Sequence, residues 1–405
     1  MADNVEFIPD GNVTSSKRYR AGGTYAGLKS QGDDVRDIGM MVSDSPASVA
    51  GTFSRNKVLS PSVTVTKEKS ANGSARGVIA NSGCANCAVG AQGYTDAMEM
   101  SELAAKHAGV DPAEMLIGST GMIGIELPMA LVRQAVPAIE LTDDGGDDFA
   151  RSIMTTDSRP KSAAVSFTAG GVQSTIGGAA KGVGMIHPDM ATMLCFLSCD
   201  ANVEASFLQT ALSEAVGLSF NMIDIDGDQS TNDTVLLFAN AAAGGSQITA
   251  GSESAAVFQE ALNEICIHLA KELVRDGEGA ERIFAVTVDG AASVDDARVG
   301  AREIAASNLV KAMVHGRDPN WGRIMMALGK SGIHIDESKI DIYINGIHIV
   351  HDGIAIPYST DAVIAGMRAP EISFQVSVGV GDASATGWGC DLTEDYVTFN
   401  SAYST

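Results

Sequence analysis

The stretch IDIYINGIHIV at residues 340–350 constrains the fold more tightly than any other part of the chain. Ile340, Ile342 and Ile344 alternate, Asn345-Gly346 turns the chain, and Ile347 and Ile349 resume the alternation. A period of two puts those side chains on one face of a strand, and Asn-Gly suits the two positive φ angles of a type I′ turn. The spacing therefore predicts a β-hairpin with one buried face.

Helical periods alternate with strand-like runs elsewhere. Asn202 reads as the N-cap of a helix carrying Val203, Phe207, Leu208, Ala211, Leu212 and Ala215 on one stripe. A longer helix follows Ser252, with Phe258, Leu262, Ile265, Leu269 and Leu273 at helical spacing, and Gly277 suits its left-handed cap. A third helix is expected over 92–107. Strands are expected at Ala75–Ala80, Ile283–Val288, Ile372–Val378 and Tyr396–Phe399, with two short ones inside 34–54 separated by Ser and Pro. No internal repeat is evident. The pattern is that of an α/β protein, and 405 residues imply more than one lobe. The boundary is placed near residue 280, after the long helix.

Apolar residues at 45% and charged residues at 19% allow a large core. Against 27 Lys and Arg stand 50 Asp and Glu, a net charge of -23. That field repels phosphate backbones and makes nucleic acid a poor partner, although a salt-rich host explains it equally well. The first residues, MADNVEFIPDG, lack an apolar signal region, and no apolar run is long enough to span a bilayer. Six Cys fit a reducing compartment. The expectation is a soluble cytoplasmic protein.

Several motifs fail on counting. Six residues separate Gly322 from Gly329, where a phosphate loop needs four. Asp224, Asp226 and Asp228 have the rhythm of a calcium loop, but Gln229 and Val235 occupy its obligatory Gly and Glu positions. Cys84 and Cys87 form one CxxC with no second pair, so two small residues filling a Gly-rich turn are preferred to zinc or redox chemistry. No metal is expected at the site.

Chemistry concentrates in KGVGMIHPDMATMLCFLSCD at 181–200, where a Gly-rich run ends at Ala191 and Thr192 opens an apolar strand-like run. Alone, a Thr there reads as an ordinary β-former. STGMIG at 119–124 adds a hydroxyl and turn N–H groups, the equipment of an oxyanion hole. IMTTDSRPK, DGDQSTNDTVLLFAN, DGEGA, GRDPNWGR and the terminal GCDLTEDYVTFNSAYST are further polar, Gly-punctuated blocks.

Together, from near residue 40 to Thr405, these blocks resemble the ornithine acetyltransferase family, also called bifunctional glutamate N-acetyltransferase. The resemblance implies a layered α/β sandwich like that of DmpA and the ornithine acetyltransferases. Residues 1–280 would form the catalytic domain and 281–405 a C-terminal α/β lobe whose tail returns to the active site. It also implies self-cleavage between Ala191 and Thr192 into α and β chains, paired as a heterotetramer of two of each. Thr192 would then carry both a hydroxyl nucleophile and a free α-amino base.

The implied reaction is ping-pong transfer of acetyl from N2-acetyl-L-ornithine to L-glutamate. No cofactor is implied, and use of acetyl-CoA as a second donor stays open. Thr120 and Gly121 match the oxyanion hole, and Thr155, Lys181, Thr192, Glu278, Asn400 and Thr405 match the substrate positions. Lys181 is expected to meet the substrate carboxylate and Glu278 the distal ammonium. Read without the family, Lys181 is a solvated loop charge, Glu278 a helix-end charge and the last residues a frayed tail.

Departures include Cys84 and Cys87 in the turn where the family carries Asn and Ala. His187 stands where a smaller residue is usual, and Asp189 where Asn is common. Two rival readings stay open: an aminopeptidase or amidase on the same fold, and an uncleaved binding protein.

Overall fold

In the computed structural model, residues 5–32, 34–187 and 193–402 are described. Ala191, Thr192, Asp189 and Thr405 lie outside them, and so does the expected cut. The chain forms two sheets with helices layered against them, the α/β arrangement expected. The first sheet holds β1 (Val5–Phe7), β2 (Tyr19–Thr24), β3 (Ile38–Phe53), β4 (Ser74–Asn81), β5 (Met115–Ser119), β6 (Lys161–Ala169), β7 (Val172–Lys181), β8 (Leu194–Val203) and β10 (Thr234–Ile248). Its order is β1-β6-β7-β8-β10-β3-β4-β5, with β2 also paired to β3. The second holds β9 (Ile223–Asp224), β11 (Ile283–Ala291), β12 (Asp341–Ile344), β13 (Ile347–His351), β14 (Ile354–Ala355), β15 (Glu371–Ser377) and β16 (Ala383–Cys390), in the order β14-β13-β12-β15-β11-β16-β9.

Alternation along β3 separates two cores. Met41 and Val49 meet Leu194, Phe196, Leu236 and Phe238 in one, while Met40 and Val42 pack with the helices Pro61–Ser70 and Gln92–Ala108 in the other. The sheet curls far enough that an added Cβ at Gly118 on β5 would lie 2.9 Å from the Phe196 ring on β8. This curl brings the end of β5 beside the start of β8, where the chemistry was expected. A third core, the largest, packs the helices Ala205–Leu218 and Ala255–Arg275 between the first sheet and the second.

The hairpin forms as expected: Asn345 and Gly346 have φ of 48° and 76°, and Ile340, Ile342 and Ile344 are buried. Four local expectations are corrected. Residues 34–54 hold one continuous strand, because the pairing of β4 skips from Val42↔Gly77 to Ala47↔Ala75 and accommodates Pro46 without ending β3. Asn202 belongs to β8, and Glu204 takes the N-cap position instead, without a side-chain capping bond. Gly277 is not left-handed; its N–H still bonds to the Val274 carbonyl at 3.1 Å, and Gly279 takes the positive φ of 72°. Tyr396–Phe399 is helical, within Glu394–Ala402, whose acidic first turn complements the helix dipole.

Candidate active site

A polar cavity of about 280 Å³ opens where the curl brings these segments together. Thr120 enters it from just beyond β5, Lys181 from the last residue of β7, Asn232 from just before β10, and Glu278 from the turn after the long helix. Lys181 pairs in register with Leu194, so the two described flanks of residues 182–193 are neighbouring strand ends.

Lys181 is buried and donates to Thr120 Oγ1 at 3.0 Å. Burial pushes its ammonium below the usual lysine value, aided by Lys161 and opposed by Asp157, Asp233 and Glu278. Thr120 spends its own N–H on the Asn81 carbonyl at 3.0 Å, so only its hydroxyl can face a ligand. Gly121 sits at φ +124°, and an added Cβ would lie 2.3 Å from the Gly83 carbonyl carbon and 2.6 Å from Cys84 N. Only glycine fits this turn. Asn232 braces it from beneath, donating to the carbonyls of Ser119 and Ala85, both at 2.7 Å. Cys84 and Cys87 are buried free thiols in the turn beside it.

Glu278 is held from two sides, by Thr156 Oγ1 at 2.7 Å and Asn400 Nδ2 at 2.7 Å. Asn400 thus brings the C-terminal helix onto the cavity, and Tyr396 adds a hydrogen bond from its hydroxyl to Asp226 Oδ2 at 3.1 Å. Burial, with Asp226 next, pushes the Tyr396 hydroxyl up. Gly184 lies against Glu278: an added Cβ would be 2.7 Å from its carboxyl carbon. Those atoms are the free end of a side chain, so Gly184→Ala should fold normally and displace Glu278. The expected result is a KM for the small-molecule substrate of this cavity raised about 10- to 100-fold, with kcat little changed, since a charged hydrogen bond contributes about 1.5–3 kcal/mol. Steady-state kinetics of the variant check this.

Behind the cavity lies a buried ion network. Lys161 donates to both Asp157 and Asp276, and Asp157 also accepts the Gly182 N–H at 3.1 Å and the Thr155 N–H at 3.0 Å. Burial alone would raise the Asp157 carboxyl, but Lys161 and Lys181 hold it below the usual range. On either side of residues 188–192 the chain is clamped by carboxylates. Asp226 accepts the Met185 and Ile186 N–H groups, Asp224 meets His187 Nδ1 at 2.9 Å, and Asp233 accepts the Met193 N–H at 2.9 Å. Burial pushes Asp233 well above the carboxylate range.

Thr120, Gly121, Thr155, Lys181, Glu278 and Asn400 therefore line one cavity, although they are scattered over 281 positions of sequence. Thr156 and Tyr396 were not singled out beforehand. Thr156 adjoins a flagged position within a polar block, but Tyr396 carried only a strand-like signal. Asp318, Asn320 and Trp321 do not line the cavity; their backbone forms the turn into the helix Gly322–Lys330.

Fold and cavity define an α/β protein with a small polar pocket in which a hydroxyl, a glycine turn, a buried ammonium and a carboxylate converge. Residues 20–405 match the ArgJ family. The arginine biosynthesis bifunctional protein ArgJ of Dehalococcoides mccartyi is 42% identical over 405 residues, covering all of both chains. That of Symbiobacterium thermophilum is 44% identical over 397 residues, 98% of this chain and 99% of its own. The crystal structure of ArgJ from Bacillus halodurans is 39% identical, with a TM-score of 0.51, covering 51% of this chain and 98% of that one. This chain belongs to the ArgJ family.

Proposed function

We propose that the protein is an acyltransferase of arginine biosynthesis that moves acetyl from N2-acetyl-L-ornithine to L-glutamate. The observation that carries this reading is the convergence of Thr120, Gly121, Lys181 and Glu278 around one pocket beside the strand that begins just after Thr192, in a chain that matches bifunctional ArgJ proteins along its whole length. Cleavage after Ala191 frees the Thr192 amine. Thr192 Oγ attacks the acetyl carbon, and the amine takes the hydroxyl proton. The tetrahedral intermediate then breaks its C–N bond, the proton leaves with ornithine, and an acetyl ester stays on Thr192. Glutamate's amine attacks that ester, and Oγ departs with the proton.

Thr120 Oγ1–H and the Gly121 N–H receive the negative oxygen in both steps. The Lys181 ammonium donates to the Thr120 oxygen, which leaves that hydroxyl's own proton for the intermediate. Lys181 also attracts the substrate carboxylate, and Glu278 the distal ammonium of ornithine. Thr155, Asn400 and Thr405 complete the substrate positions. The size relation to the Bacillus halodurans chain, almost all of which aligns to half of this one, supports a cut near the middle. The same reading places residues 1–280 in a catalytic domain and 281–405 in a lobe that returns its tail to the pocket. It makes the mature form a cytoplasmic heterotetramer of two α and two β chains that needs no cofactor. Among the described residues, no helix is long and apolar enough to cross a membrane.

The test is ornithine release from acetylornithine with and without glutamate. Release that requires glutamate and yields equal N-acetylglutamate is expected. Release without glutamate would make the protein an amidase. Replacing acetylornithine with acetyl-CoA shows whether a second donor is used; the bifunctional name of its relatives supports that it is.

A further inference from the structure

The hairpin that dominates the sequence carries two histidines that acyl transfer does not use. Its register runs Ile344↔Ile347 and Tyr343↔His348, then jumps to Ile342↔Val350, so Ile349 is an extra residue. In a regular strand His348 and His351, three apart, would point to opposite faces. The bulge brings both to the face that carries Asp341 and Tyr343.

On that face His351 Nδ1 lies 2.9 Å from Asp341 Oδ1, and His348 Nε2 lies 3.8 Å from the same oxygen. One donor atom from each of the three residues falls within 4.8 Å of the others. A tetrahedral ion with bonds of about 2.0–2.1 Å holds its ligands about 3.3 Å apart, so small side-chain rotations complete the set. His348 Nε2 is buried and has no hydrogen-bond partner among the described residues. Its ring is fixed by stacking on Tyr343, with centroids 4.3 Å apart and planes 14° apart. The second nitrogen of His351 lies 3.6 Å from an Asp352 carboxylate oxygen, beyond a hydrogen bond but near enough for a small rotation to make one, as outer partners of metal-bound imidazoles do. The Asp352 N–H in turn holds Asp341 Oδ1 at 3.0 Å.

We propose that Asp341, His348 and His351 bind a divalent transition-metal ion, with Zn²⁺ the best match. Two imidazoles and one carboxylate favour Zn²⁺ or Co²⁺ over Mg²⁺ and Ca²⁺, which take oxygen ligands. His351 is exposed, so water completes the coordination. None of the three residues lines the acyl-transfer cavity. The ion joins β12 to β13 and acts on the stability of the C-terminal sheet.

The experiment is calorimetric titration of Zn²⁺ into the purified full-length protein, repeated with Co²⁺ to read its visible absorption. One ion per chain is expected, with no competition from Mg²⁺. At about 100 times Kd, the Tm should rise by about 2–5 °C. Asp352→Asn should weaken binding about tenfold, as for other outer partners of metal-bound histidines. His348→Gln should weaken it further. Both variants change partly exposed side chains, and their circular dichroism and acetyl transfer report whether the fold is retained. Affinity weaker than millimolar, or Zn²⁺ binding unchanged in folded His348→Gln and His351→Gln, overturns the proposal.

Discussion

Purified wild-type protein is expected to resolve by intact mass into two chains, residues 1–191 and the remaining 214 of the 405, whereas Thr192→Ala stays whole and transfers no acetyl group. The argument is chemical before it is structural. A threonine hydroxyl is a poor nucleophile, and no histidine lines the described cavity to serve as its base. An α-amino group, with a pKa near 7.7–8.0 in model peptides, is a suitable base at neutral pH, but it exists only after the 191–192 bond is cut. One substitution therefore removes the cleavage and the turnover together, with an expected loss of about 10⁴-fold or more in kcat. The surroundings support a defined cut: Asp226 and Asp224 hold the chain through residue 187, and Asp233 holds it again at Met193. Thr192→Ser keeps hydroxyl and amine and should still cleave. A folded wild-type protein that stays at 405 residues would sink this mechanism and favour an uncleaved binding protein.

What the sequence disclosed, and what it hid, follows the range of the interactions involved. The type I′ turn at Asn345-Gly346 was legible because its cause lies within four residues. The bulge at Ile349 was not: Ile347 and Ile349 continue the alternation in the sequence, yet Ile349 and Val350 are both buried, and only pairing with β12 shows the extra residue. Tyr396–Phe399 is rich in β-formers and reads as a strand. The helix that contains it is tied down by Tyr396 to Asp226 and by Asn400 to Glu278, partners 170 and 122 positions away. The same distance hid the ion network. Asp157 and Lys161 sit in a stretch that looks solvated, and they become buried only when Asp276 arrives from the end of the long helix. Thr120, Gly121, Lys181, Glu278 and Asn400 were found through motif resemblance to a family. Periodicity alone would have left Lys181 and Glu278 as surface charges.

Thr120→Val is expected to lower kcat about 10²–10³-fold with a much smaller effect on KM, the usual cost of removing one oxyanion donor. Valine nearly matches threonine in shape at this buried position, so the loss reads the hydroxyl and not the packing. The backbone cannot compensate. The Thr120 N–H is already committed to the Asn81 carbonyl, and Gly83 and Cys84 crowd the Gly121 turn so closely that an added Cβ would lie 2.3 and 2.6 Å from them. The variant also removes the Thr120 hydroxyl that accepts from Lys181, which adds to the loss because this buried ammonium then has no hydrogen-bond acceptor among the described residues. Thr120→Ser restores the hydroxyl and should recover most of the rate, which a purely structural role for the side chain would not require. Under the proposed mechanism, self-cleavage would pass through a tetrahedral intermediate of its own, at the Ala191 carbonyl. Its rate in freshly translated Thr120→Val therefore shows whether one hole serves both reactions: slowing of both steps means a shared hole, and slowing of transfer alone means that the precursor stabilises its oxyanion elsewhere. A Thr120→Val enzyme with wild-type kcat would remove Thr120 from the chemistry and leave Gly121 and Lys181 to receive the charge.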